Sequence, residues 1–205
     1  RQGRFSFLTR KQGWFFFPLL FLVGLGLQID SVKFIVRGAK VTHRWVEIPI
    51  LAVRLSLLPV LAFSFLPLGM AFAFIGVQLA VFGFYMGASF APNHKGMPVL
   101  PAASRVDFFS RQVLTSRNIS GGRFMDILLG GLNRQAEHHL FPDMARPQLH
   151  QAAKIVREYC AKHQVPYTET TLMQSYAIIV RYLNDVGLAA GRHFECPMAT
   201  VTRRY

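Results

Sequence analysis

The chain alternates between long apolar runs and short basic stretches over its first ninety residues, then turns mostly polar. Residues 1 to 13 are polar and basic, with Arg1, Arg4, Arg10 and Lys11. Trp14 to Ile29 is an apolar or neutral run containing Pro18, Gly24, Gly26 and Gln28. Residues 30 to 45 return to a basic loop with Lys33, Arg37, Lys40 and Arg44. The next apolar stretch, Val46 to Phe90, is too long for one span, and Pro67-Leu68-Gly69 divides it. Its halves, residues 48–66 and 70–90, each have the length of a membrane-crossing helix. Arg54 lies in the second turn of the first and can snorkel to the near interface.

The run at 14–29 is slightly short for a span, which needs roughly 17 to 25 residues. If it crossed the membrane, the two basic loops would fall on opposite sides, against the bias of basic residues towards the cytosol. An interfacial or re-entrant helix at 14–29 keeps residues 1 to 45 on one side, and the 48–90 hairpin returns there. The predicted fold is therefore an all-α membrane protein: a transmembrane helical hairpin, an interfacial or re-entrant helix, and a helical cytosolic cap over residues 91–186. Within the cap, the pattern predicts a short helix at 105–117. It predicts a second from Pro147 to about His163, with an apolar face of Leu149, Ala152, Ala153, Val156 and Tyr159. A third, about Thr170 to Val186, would bury Leu172, Met173, Tyr176, Ile179, Val180 and Leu183. Residues 187–205 read as a tail.

Composition agrees with this picture. Hydrophobic content is 52%, 19 residues are phenylalanine, and the mean hydropathy is positive. The net charge of +13 is spread through loops that flank apolar spans. That favours anionic lipid headgroups as electrostatic partner and argues against nucleic acid. Cys160 and Cys196 have no metal or disulfide-framework spacing and are expected to be reduced thiols. No signal-peptide cleavage site follows the first apolar segment.

The chemistry concentrates in Gln135-Ala136-Glu137-His138-His139, followed by Leu140-Phe141-Pro142. On a helix, Gln135, His138 and His139 share one face, because positions i, i+3 and i+4 are neighbours. Glu137 points elsewhere and could orient a ring nitrogen from behind the ligands. Pro142 disfavours helix at Phe141, so the helix should end just past the pair. No HExxH motif is present to support zinc hydrolysis.

The segment resembles the third histidine box, QxEHH, of the membrane fatty-acid desaturases. Gln12–Leu22, the Asn93 region, Arg105–Asn118 and Tyr159–Thr171 also look like bacterial acyl-CoA-type members. The resemblance implies a C-terminal part of one desaturase domain, since neither HxxxH nor HxxHH occurs before Gln135. It implies two non-haem irons, O2 as co-substrate, a fatty acyl substrate linked to CoA or lipid, and a cytosolic catalytic face. Electrons would come from an external donor such as ferredoxin or a cytochrome b5-type carrier. As metal ligands it implies His138 and His139, with His94, Gln135 and Asn93 as further candidates. His43, His150, His163 and His193 are not expected to be ligands. A related lipid hydroxylase, or a non-catalytic membrane protein that has lost the site, remains open on these residues.

Overall fold

The computed structural model describes residues 11–37, 43–101 and 104–189. His193 and Cys196, with most of the tail, lie outside them. The described residues contain eight α-helices: α1 Phe16–Val36, α2 Arg44–Phe65, α3 Leu68–His94, α4 Phe108–Leu114, α5 Gly122–Leu128, α6 Gln135–Leu140, α7 Leu149–Lys162 and α8 Leu172–Ala189. A 3-10 turn, Gln12–Phe15, precedes α1. Two short strands, β1 Asn118–Ile119 and β2 Glu169–Thr170, pair in parallel. The chain divides into two compact units, Phe17–Ala88 and Arg1–Phe16 with Ser89–Tyr205.

The Phe17–Ala88 unit is built from long apolar helices whose large side chains face outwards. Three segments are long and apolar enough to cross a membrane: Gln12–Val36, Arg44–Phe65 and Leu68–His94, at 25, 22 and 27 residues. Outward Leu, Phe and Val are what a lipid environment requires. The first segment is longer than its apolar run because the helix continues through Asp30 and Lys33, which pair at 3.6 Å. Its length therefore no longer argues against a crossing. Arg44 donates to the Ile35 carbonyl at 3.1 Å, satisfying one open acceptor at the end of α1. Trp14 and Trp45, 64% and 88% exposed, stand near segment ends, where amphipathic rings settle at the headgroup level.

Small residues set the spacing between α1 and α3. A Cβ at Gly24 would lie 2.3 Å from the Leu79 carbonyl oxygen, and one at Gly83 would lie 2.4 Å from the Gly24 nitrogen. Backbone atoms on a helix cannot step aside as a side chain can. Gly83→Ala is expected to force the two helices apart and cost about 1–3 kcal/mol. Gly76→Ala, with nothing within 4 Å of its Cβ, should be neutral or slightly stabilising. Thermal unfolding of both variants in detergent checks the contrast.

The other unit gathers short helices, α7 and α8 around the parallel strand pair. α4 starts at Asp107, whose carboxylate accepts from the Ser110 N–H at 3.0 Å. That bond holds the Asp107 carboxyl below its usual range. α7 buries Leu149, Ala152, Ala153, Val156 and Cys160. Tyr159 departs from the expected face: it is 48% exposed and packs edge-on against Phe109. α8 keeps the expected face towards the core, with Met173 the exception. Met173 is 75% exposed, while Ser175 and Ile179 are fully buried. Ser175, on the same face as Ile179, donates to the Pro92 carbonyl and accepts from Arg117. Gly13 brings the 3-10 turn onto α8, donating to Asn184 Oδ1 at 2.8 Å.

Candidate metal centre

The histidine helix α6 is only six residues long, so its direction must be imposed from outside. Gly130 and Gly131 both adopt positive φ in the approach to it, and Arg146 packs along Gly131 while donating to the Gly130 carbonyl at 2.9 Å. Asp126 accepts from Asn133 at 2.7 Å and from Arg134 at 3.1 Å. The Ile119 N–H donates to the Asn133 carbonyl at 2.8 Å, tying the approach to β1. α6 has no side-chain cap of its own. Asn118 of β1 serves instead, its Oδ1 accepting from the Ala136 N–H at 3.0 Å. As Pro142 predicts, α6 ends at Leu140.

Behind the helix lies a closed polar network. Glu137 has no exposed surface. Asn118 Nδ2 donates to its Oε2 at 2.6 Å, and the Tyr167 hydroxyl donates to its Oε1 at 2.7 Å. Asn118 Nδ2 also reaches the Tyr167 oxygen at 2.5 Å. Burial, then the Glu137 charge, pushes the Tyr167 phenol well above its ordinary range, so it remains a donor. Burial followed by the same charge raises the Cys160 thiol. The expected bond from Glu137 to a histidine ring is replaced by this link from α6 to β1 and the β2 approach.

On the other face, Gln135, His139 and His94 come together. Gln135 Nε2 lies 2.8 Å from His139 Nε2, and Ser116 Oγ lies 3.1 Å from His139 Nδ1. The His94 ring stacks on His139, centroids 5.2 Å apart and planes at 19°. His138 is 6.1 Å from His139 and tilted by 43°. Burial, and then the neighbouring His94 and His138, hold the His139 imidazole below its usual range. That favours the neutral form, which is the one that binds metals.

Asn93 is fully buried. Its Nδ2 donates to the Ser89 and Leu132 carbonyls at 3.1 and 3.0 Å, joining the end of α3 to the approach to α6. Arg117, 1% exposed, donates to Ser175 Oγ at 2.6 Å and to the Lys95 carbonyl at 2.7 Å. Thus Arg117 and Ser175 hold the segment that carries His94. Ser116, Arg117, Asn118, Tyr167 and Ser175 were not singled out by sequence reasoning. The first four carried no sequence signal beyond lying in the family-like stretches Arg105–Asn118 and Tyr159–Thr171, and Ser175 lies outside both. The remaining described histidines lie elsewhere: His150 beside Arg134 and Asp126, His163 against Tyr159, and His43 exposed before α2.

The residues fit iron as part of a ligand set. Among the described residues three buried amide oxygens have no hydrogen-bond partner: Asn93 Oδ1 and Gln135 Oε1 of the candidate ligands, and Asn133 Oδ1. A buried acceptor without a partner is costly, and a metal ion or a water bound to one would satisfy it. Imidazole and amide oxygen are donors that non-haem iron accepts. Among the described residues, no three His, Cys, Asp or Glu side chains already form a metal cage.

A family model described as fatty acid desaturase matches residues 1–171. The chain belongs to the fatty acid desaturase family. It is 31% identical over 186 residues to Delta(8)-fatty-acid desaturase 2 of Arabidopsis thaliana, covering 90% of this chain and 41% of that protein. It is 40% identical over 96 residues to Delta(6)-fatty-acid desaturase fat-3 of Caenorhabditis elegans, covering 46% and 22%. With the acyl-lipid (9-3)-desaturase of Physcomitrium patens, identity is 37% over 108 residues, covering 53% and 20%. The chain thus spans between a fifth and two-fifths of the length of these curated relatives. No solved structure matches it significantly.

Proposed function

We propose that this chain is part of a membrane fatty acyl desaturase and supplies some of the ligands of a two-iron centre. The observation that carries the reading is that His94, His138 and Gln135 each neighbour His139, with the Gln135 amide oxygen buried and unpartnered. His138, His139 and His94 would hold iron directly, and Gln135 and Asn93 directly or through water. Three imidazoles are too few for two irons, so further ligands would come from outside these residues.

Removing two hydrogens from an unactivated alkyl chain is beyond any amino-acid acid or base, and bound iron would supply the necessary oxygen activation. The overall change converts one CH2–CH2 unit to a cis CH=CH unit. One O2, two electrons and two protons from outside become two waters, together with the two hydrogens removed. This chain's own part is positional. Ser116 and Gln135 orient the His139 ring, Asn93 and Arg117 hold the segment bearing His94, and the Glu137 network fixes the axis of α6. The acyl substrate would be CoA- or lipid-linked and the electrons would come from a ferredoxin or a cytochrome b5-type carrier. The catalytic face would be cytosolic.

The test is product analysis with the full-length protein, an electron-donor system, O2 and acyl substrates. An unsaturated product formed with O2 consumption is the expected result. A hydroxylated product would assign the chain to lipid hydroxylation instead. Expressed alone, residues 1–205 are expected to bind little iron and show no turnover.

A further inference from the structure

Gln28, Arg54 and Gln78, one from each of α1, α2 and α3, line a single cavity of about 180 Å³ in the Phe17–Ala88 unit. Apolar side chains, including Leu58, Ile75 and Phe82, complete its walls. The three polar residues are matched in depth. Gln28 lies eight residues before the end of α1 and Arg54 ten after the start of α2, about 12 and 15 Å from the turn joining them. Gln78 lies ten residues into α3, level with Arg54 counted from the opposite end of α2.

Arg54 lines the cavity while remaining exposed at the helix surface, and arginine keeps its charge at any physiological pH. Residues 17–88 contain two acids, Asp30 and Glu47. Asp30 is engaged by Lys33 at 3.6 Å, and Glu47 sits two turns from Arg54 along α2. No salt bridge reaches Arg54 among the described residues. The guanidinium and two primary amides put N–H donors among the lining residues, which include no carboxylate. The volume equals about six waters at liquid density, more than one bridging water requires and enough for a phosphate group. Between the cavity's level and the α1–α2 turn lie Lys33, Arg37 and Arg44 with Asp30 and Glu47, so the approach carries a small net positive charge.

We propose that this cavity binds the phosphate of one anionic phospholipid, held by Arg54 with Gln28 and Gln78, the acyl chains lying along the apolar walls. Basic pockets between membrane helices are a known means of recognising such headgroups. The site is separate from the histidine cluster and does not depend on the iron reading.

The test uses the full-length protein in phosphatidylcholine vesicles containing either spin-labelled phosphatidic acid or spin-labelled phosphatidylcholine. The fraction of immobilised label is read by electron paramagnetic resonance. The native protein should prefer phosphatidic acid by about fivefold, the scale of one basic residue near a membrane surface. Arg54→Gln should bring the two lipids to parity, while Arg123→Gln, an exposed arginine in the other unit, should leave the preference intact. If Arg54→Gln fails to fold, Gln28→Leu and Gln78→Leu, which suit an apolar span, should each reduce the preference. Equal immobilisation of both lipids by the native protein, as for a cavity holding only water, would overturn the proposal. So would a preference that none of the three cavity substitutions changes.

Discussion

His139→Ala in the full-length protein is expected to reduce both bound iron and desaturation by more than about 100-fold, beyond the usual effect of disturbing a residue behind a metal ligand. His139 is the hub of the cluster. Its Nε2 meets Gln135, its Nδ1 meets Ser116, and its ring face carries His94. The fold should survive, because the side chain is only partly buried and belongs to no apolar cluster. His163→Ala provides the contrast: that ring rests on Tyr159, away from the cluster, and should leave iron content unchanged. Metal analysis and product formation on the same preparations decide the matter. A His139→Ala protein that kept its iron would remove the residue from the ligand set.

Glu137→Ala should have the larger effect on folding. The carboxylate is inaccessible and accepts from Asn118 and Tyr167. Its removal strands two buried donors at about 1–3 kcal/mol each and leaves a void beside them. A loss of about 3–5 kcal/mol is a large fraction of a typical domain's stability of about 5–15 kcal/mol. Glu137→Gln should be milder but still damaging, because its amide places a donor against one of these donors. Tyr167→Phe should be mildest, about 1–3 kcal/mol, since Asn118 still satisfies the other oxygen. Unfolding midpoints in detergent should therefore fall in the order Tyr167→Phe, Glu137→Gln, Glu137→Ala. Equal midpoints for Glu137→Ala and the native protein would show that the network does not hold α6. Because Asn118 also caps α6, loss of iron in Tyr167→Phe at a temperature where the protein remains folded would show that the network positions the histidines.

The apolar pattern located the membrane-type helices because burial in lipid acts on whole stretches of side chains and needs no long-range partner. It underestimated their lengths. Helix propagation continues through charged residues once the chain has begun, so α1 runs past Asp30 to Val36 and α3 past Phe90 to His94. The apolar face of α8 was legible except that Ser175 is buried and Met173 is not, because Ser175 has the hydrogen-bond partners. The two-residue strands were too short to leave a periodic trace.

The histidine motif was legible because it is local: three side chains on one turn of helix need only the right spacing. The sequence by itself determined the apolar helices, the placing of Gln135, His138 and His139 on one short helix, and its stop before Pro142. The tertiary structure decided that Glu137 faces Asn118 and Tyr167, that His94 stacks on His139, and that Arg117 and Ser175 hold the segment between them. Those pairs lie 19 to 58 residues apart in sequence. A hydrogen bond between distant residues is set by where the backbone brings its two ends, and nothing in either local sequence encodes that meeting.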